Sequence, residues 1–167
     1  MNKPTKKQLI YFFIMLTLSN GIGFLLSLSY DEIYWLSAFL LLILTTGILN
    51  LNTILSLKQN RKLIYTVISL VVPLIYFTLF YSLFSSILFS AIVLLLSLKK
   101  QFLHFDLFHL YRLIESFIFL VVLNSFSFYA QTFFFSSSIT IYLLAIYLMY
   151  TALSYLFSHL KKSDVVD

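Results

Sequence analysis

The sequence predicts an all-α polytopic integral membrane protein, a bundle of about six transmembrane helices with both termini cytoplasmic. Three observations lead there. Hydrophobic residues make up 61% of the 167 residues and charged ones only 10%, against roughly half and a quarter in ordinary globular chains. All 11 lysines and arginines fall in clusters that separate long uncharged runs. Those clusters share one side of a membrane when the chain crosses six times, which is the arrangement cytoplasmic loops favour.

The runs set the elements. A spanning helix needs about 20 residues to cross a hydrocarbon core of roughly 30 Å. The first run, 9–28, follows Lys3, Lys6 and Lys7. Ser27 and Ser29 are small residues of the kind that precede a signal-peptidase cut. The run is long for a signal sequence, however, and Ser19, Asn20 and Gly21 interrupt its centre, so an uncleaved span is expected. After the acidic pair Asp31 and Glu32, the second run covers 33–57 and stops at Lys58, Arg61 and Lys62.

From Leu63 to Leu98 there is no charge at all. One helix of that length would be roughly 54 Å long, too long even with strong tilt. Two crossings, 63–80 and 83–98, fit, with a turn near Tyr81–Ser82 that contains neither glycine nor proline. Splitting the run also keeps Lys99, Lys100, Arg112, Lys161 and Lys162 on the same side as the other basic residues. Pro73 removes one hydrogen bond from the third span and is expected to kink it. The fifth span is 113–130 and the sixth 138–158, the whole chain forming a single membrane domain.

Between the fourth and fifth spans, 99–112 is expected to lie on the cytoplasmic surface as an interfacial helix. On a helical wheel Leu103, Leu107, Leu110, Tyr111 and Ile114 share one face. His104, Asp106, His109, Arg112 and Glu115 occupy the other and form a candidate partner-docking face. Glu115 lies one turn beyond Arg112, within pairing distance. His104 and His109 are five apart, roughly 140° around a helix, and so cannot chelate one ion. No metal and no cofactor is expected.

Two sets of uncharged residues stand out within the spans. Ser19, Gly23 and Ser27 recur every four residues in the first span, and small residues at that spacing let helix backbones approach closely. Asn20, Thr45, Thr46 and Asn124 fall near the middle of the first, second and fifth spans. Amides in hydrocarbon are costly unless bonded, so these should face inward. They read either as interhelical glue or as a polar site for a small solute near the midplane. Asn20 and Asn124 lie at similar depth, so the first and fifth helices are expected to bring the two amides together.

Composition also excludes several classes. With no cysteine there is no disulfide, thiol chemistry or thiolate metal site. The net charge of +5 comes from residues flanking apolar runs, which discounts nucleic-acid binding. No zinc-protease helix, phosphate-binding glycine loop or nucleophile elbow appears, and no aspartate lies within a span, so an enzyme is not expected. Two readings of function remain. The first is a non-enzymatic scaffold or accessory subunit of a larger membrane assembly, partnered by the bilayer and by other membrane-protein subunits. The second is a small-solute transporter, or the substrate-binding subunit of one. The Phe- and Tyr-rich, Gly-poor usage points to a bacterial cytoplasmic membrane or an organellar inner membrane.

Overall fold

Long uncharged runs leave the backbone little choice but to satisfy itself by helical hydrogen bonds. The computed structural model, which describes residues 6–30, 33–54 and 60–163 and the side chains of 10–30, 33–50 and 63–155, contains helices and no strand among them. The helices are α1 (Lys6–Ser27), α2 (Trp35–Ile54), α3 (Asn60–Phe80), α4 (Leu83–Ser97), α5 (Lys99–His104), α6 (Phe108–Phe117), α7 (Leu123–Thr132) and α8 (Ser137–Ser163). A π-helical turn, Ile118–Val122, joins α6 to α7 in one continuous rod. Lys3, Asp31, Glu32, Lys58 and the 55–57 end of the second expected span lie outside the described residues.

Five stretches are long and apolar enough to cross a membrane: Ile10–Ser27, Leu63–Phe80, Leu83–His104, Phe108–Thr132 and Ser137–Tyr155. The described apolar part of α2, Trp35–Asn50, is shorter. The charge-free run 63–98 does divide at Tyr81–Ser82. With no glycine or proline there, side chains hold the turn. Ser82 is extended, and the Ser85 hydroxyl sits within hydrogen-bond distance of the Ser82 carbonyl (2.6 Å) and, across the break, of the Phe77 carbonyl (3.0 Å). Pro73 is buried within α3, and the helix continues through it.

The rod from Phe108 to Thr132 is the centre of the bundle. α1 packs along α7 and the π turn, α2 bridges α1, α3, α4 and α7, and α8 rests on the π turn and α7. The buried core runs through Leu44, Ile48, Phe77, Phe89, Leu96, Phe119, Leu123 and Phe126. α8 contributes only Ile139 and Leu143 to the buried set among its described side chains.

The two ends of the bundle differ in chemistry. At one end the segments after α1, α3 and α7 meet in a network of rings. Tyr34 meets Phe133 edge-on, Tyr81 stacks on Phe133 at 4.9 Å, and Tyr30 packs against Phe128 and Phe134. Phe133 ends α7 in the left-handed conformation (φ 59°), which is unusual for a bulky residue and is held here by its ring partners. The Tyr81 hydroxyl donates to the Ala130 carbonyl (2.6 Å) and bonds Ser37 (2.6 Å). Burial pushes that hydroxyl up to about 12, the Ser37 bond opposing the shift, so it remains a donor at neutral pH. At the other end, Tyr11 of α1, Leu49 of α2, Lys99 of α5 and Arg112 of α6 line a common cleft. The starts of α1, α5 and α6 and the later part of α2 therefore lie together there, with Lys99 and Arg112 among the residues that line the cleft.

α1 and α7 approach so closely that a Cβ on Gly23 would sit 1.9 Å from the Asn124 carbonyl oxygen. On Gly21 it would meet only the Thr17 methyl at 3.5 Å. Gly23→Ala is therefore expected to force the helices apart, at a cost of about 1–3 kcal/mol or more. Gly21→Ala should be neutral or slightly stabilising through helix propensity. Thermal unfolding of the two variants in one detergent checks this, and equal melting temperatures would refute the contact.

Candidate functional site

The polar residues expected in mid-span fall into one buried cluster, with one exception. Asn20 is buried on the inner face of α1 and donates to Thr45 Oγ1 on α2 (2.9 Å) and to Ser19 Oγ (3.2 Å). Thr45, fully buried, donates in turn to its own Leu41 carbonyl (2.8 Å). Asn124, also fully buried, holds α1 by its backbone. Its Oδ1 accepts from the Gly23 N–H (3.0 Å) and its Nδ2 donates to the Leu18 carbonyl (2.7 Å). The same Nδ2 lies 3.2 and 3.1 Å from the Phe119 and Leu120 carbonyls of the π turn. Ser127, one turn on, donates to the Asn20 carbonyl (3.0 Å).

Thr46 is the exception. It is only partly buried and donates to the Leu42 carbonyl of its own helix (2.7 Å), since consecutive helix positions point about 100° apart. Nor do the two amides bond one another: Asn20 turns toward α2, whereas Asn124 grips the α1 backbone from α7. Ser19, Gly23 and Ser27 are all buried and form the α1 stripe along which this contact is made. Among the described residues Ser125 Oγ is the one buried side-chain nitrogen or oxygen without a partner. The cluster is thus closed on itself, and neither of the clefts described below reaches it.

Sequence reasoning missed Gln131 and Ser37. Gln131 accepts from the Tyr34 N–H (2.8 Å) and donates to its carbonyl (3.4 Å), tying the segment before α2 to the end of α7. A lone glutamine near a span end gives no sequence signal of such a role.

The interfacial segment departs from the expected single helix. α5 stops at His104, and Asp106 adopts φ 61°. The Asp106 N–H returns to the Leu103 carbonyl (3.3 Å) and the Leu107 N–H to that of Phe102 (2.8 Å), a helix-ending motif usually built on glycine. Aspartate tolerates this conformation better than most side chains. The break separates the expected polar face. His104 ends the α5 half and stays exposed, whereas His109, Arg112 and Glu115 continue into the central rod. On the expected apolar face Tyr111 is buried, while Leu103, Leu107 and Leu110 remain exposed.

α1 and α8 both rest on the π turn but do not pack broadly on each other. Between them, beside α6, a space remains open. The result is a cleft of about 670 Å³ with His109, Arg112, Glu115 and Ser116 on its floor, Tyr11 and Met15 on one wall and Tyr150, Thr151 and Tyr155 on the other. A smaller cleft of about 320 Å³ adjoins it and shares Tyr11, Met15, Arg112 and Glu115. The Arg112 guanidinium lies 5.1 Å from the centre of the Phe108 ring, within cation–π range. Among the described residues no three histidine, cysteine or carboxylate side chains group as a metal site.

Compared with known proteins, the chain matches no family model, no curated protein and no solved structure.

The hydrogen-bond pattern sets an order of mutational costs. Asn124→Ala should lower stability by about 0.6–2 kcal/mol, the measured span for interhelical bonds in membranes. Asn20→Ala and Thr45→Ala should couple in a double-mutant cycle by about 0.6 kcal/mol. Thr46→Ala, which touches no other helix through its hydroxyl, should stay within about 0.5 kcal/mol of wild type. Denaturation of the four single variants and of the Asn20→Ala, Thr45→Ala double variant in one detergent measures all three, and a Thr46 effect equal to that of Asn124 would contradict the arrangement.

Proposed function

We propose that the chain crosses a membrane six times, with both termini and every basic cluster on the cytoplasmic face, in a bacterial cytoplasmic or organellar inner membrane. We propose further that it is a non-enzymatic scaffold or accessory subunit of a larger membrane assembly. The observation that carries this reading is α8. It is 27 residues long, yet only 11% of its apolar window is buried within the chain. Ile141, Tyr142, Leu148 and Met149 recur along one outer stripe at helical spacing and are all more than half exposed. A helix so little packed on its own chain is available to a neighbouring membrane helix, which close van der Waals packing rather than hydrophobic burial would hold. A solute-transport reading draws on Asn20, Thr45 and Asn124, whose polar groups are occupied by one another and by α1. That favours a packing role for them.

The topology is tested with single cysteines, since the chain has none of its own. Ser82→Cys and Ser136→Cys are expected to react with a membrane-impermeant thiol reagent from outside the cell, and Ser163→Cys only after permeabilisation. Protection of Ser136→Cys together with external labelling of Ser163→Cys would reverse the assignment.

The subunit role predicts stoichiometric co-purification with another membrane protein in mild detergent. Combined Leu148→Ala and Met149→Ala changes should reduce recovery of that partner while abundance of the chain stays near wild type. A monodisperse chain without a partner, under conditions that keep it folded, would count decisively against the reading.

A further inference from the structure

The cleft between α1, α6 and α8 is independent of the subunit role and has a chemistry of its own. We propose that it holds the headgroup of a zwitterionic membrane phospholipid, the phosphodiester on Arg112 and the ammonium on Glu115. Four observations converge on this class of ligand. The first is depth. Tyr11 follows Lys6 and Lys7 at the start of α1, Arg112 lies one turn into the stretch Phe108–Thr132, and Tyr155 precedes Lys161 and Lys162 near the end of α8. That is the level at which headgroups sit and at which tyrosines are enriched.

The second is size. About 670 Å³ suits a small organic ligand rather than a single ion or water. The third is charge balance. Arg112 and Glu115, one turn apart on α6, line both adjoining clefts. A guanidinium supplies paired donors to phosphate oxygens. A carboxylate beside it opposes a multiply charged anion and favours a ligand carrying its own cation.

The fourth is the direction of the hydroxyls. Ser116 Oγ donates to the Arg112 carbonyl (2.8 Å) and Thr151 Oγ1 to that of Leu148 (2.9 Å). Their protons are committed to the helix backbones, which leaves oxygen lone pairs toward the cleft. Those oxygens, with Glu115, are acceptors for an ammonium, while Arg112 provides the donors for the phosphate. Soluble phosphodiesters share this headgroup chemistry. The cleft lies between helices that carry exposed apolar side chains such as Ile14 and Leu153, which provide the surface for acyl chains that only a lipid has.

The test uses the full chain in mild detergent, titrated with short-chain phosphatidylethanolamine, short-chain phosphatidylglycerol and water-soluble glycerophosphoethanolamine, with melting temperature as readout. Phosphatidylethanolamine is expected to raise the melting temperature at lower concentration than either of the others. Arg112→Gln should weaken that effect about tenfold, the loss expected for one charge-assisted hydrogen bond. Lys100→Gln, an exposed basic residue of α5 outside the cleft, should leave it unchanged. If Arg112→Gln does not accumulate, Glu115→Gln decides the point by losing the preference for phosphatidylethanolamine over phosphatidylglycerol. Equal or stronger stabilisation by phosphatidylglycerol overturns the zwitterion assignment. Equal stabilisation by glycerophosphoethanolamine overturns the lipid assignment, and an undiminished effect in both cleft variants overturns the site.

Discussion

The bundle depends on the grip of Asn124 on the backbone of α1. Between apolar helices in lipid there is no hydrophobic drive to association, because hydrocarbon surrounds them whether they touch or not. Close packing and hydrogen bonds must supply the attraction. Asn124 offers both a donor and an acceptor to α1, at Leu18 and Gly23, and can reach them only because Gly23 has no side chain in the way. The π turn immediately before Asn124 leaves carbonyls that the same amide covers. A wide turn, a bare glycine and one amide therefore form a single device, and π turns of this kind recur where a helix must present a particular side chain.

From that contact the rest of the molecule divides into a closed end and an open one. At the closed end, stacked and edge-on rings around Tyr81 and Phe133, with Gln131 on the Tyr34 backbone, tie three inter-helix segments together. At the open end α1 and α8 pack little on each other, and Arg112 and Glu115 of α6 line the cleft between them.

Much of this was legible in the chain. Uncharged runs and one-sided lysines placed the helices, and the length of 63–98 demanded the break that the structure makes at Tyr81–Ser82. The Ser19, Gly23 and Ser27 stripe was visible as spacing, and it is the stripe on which α1 meets α7. The expected interfacial helix failed at a specific point. A glycine after His104 would have announced a helix end, but Asp106 takes the left-handed position without one, and half of the segment joins the central rod. The pairing of Asn20 with Asn124 failed for a different reason. Depth along a helix is readable from sequence, but rotation about its axis is not, and the two amides face different neighbours.

What the sequence determined by itself was therefore the set of long apolar helices and their approximate ends. Hydropathy, charge and length add up residue by residue along the chain, and no partner is needed to evaluate them. Only the tertiary structure decided that Thr45 but not Thr46 joins the polar cluster and that Phe133 takes a strained conformation against Tyr81. It alone brought Tyr11, Arg112 and Tyr155 around one cleft. Each of these depends on how helices are rotated and packed, which is set by contacts between residues more than 100 positions apart, such as Gly23 and Asn124 at a separation of 101.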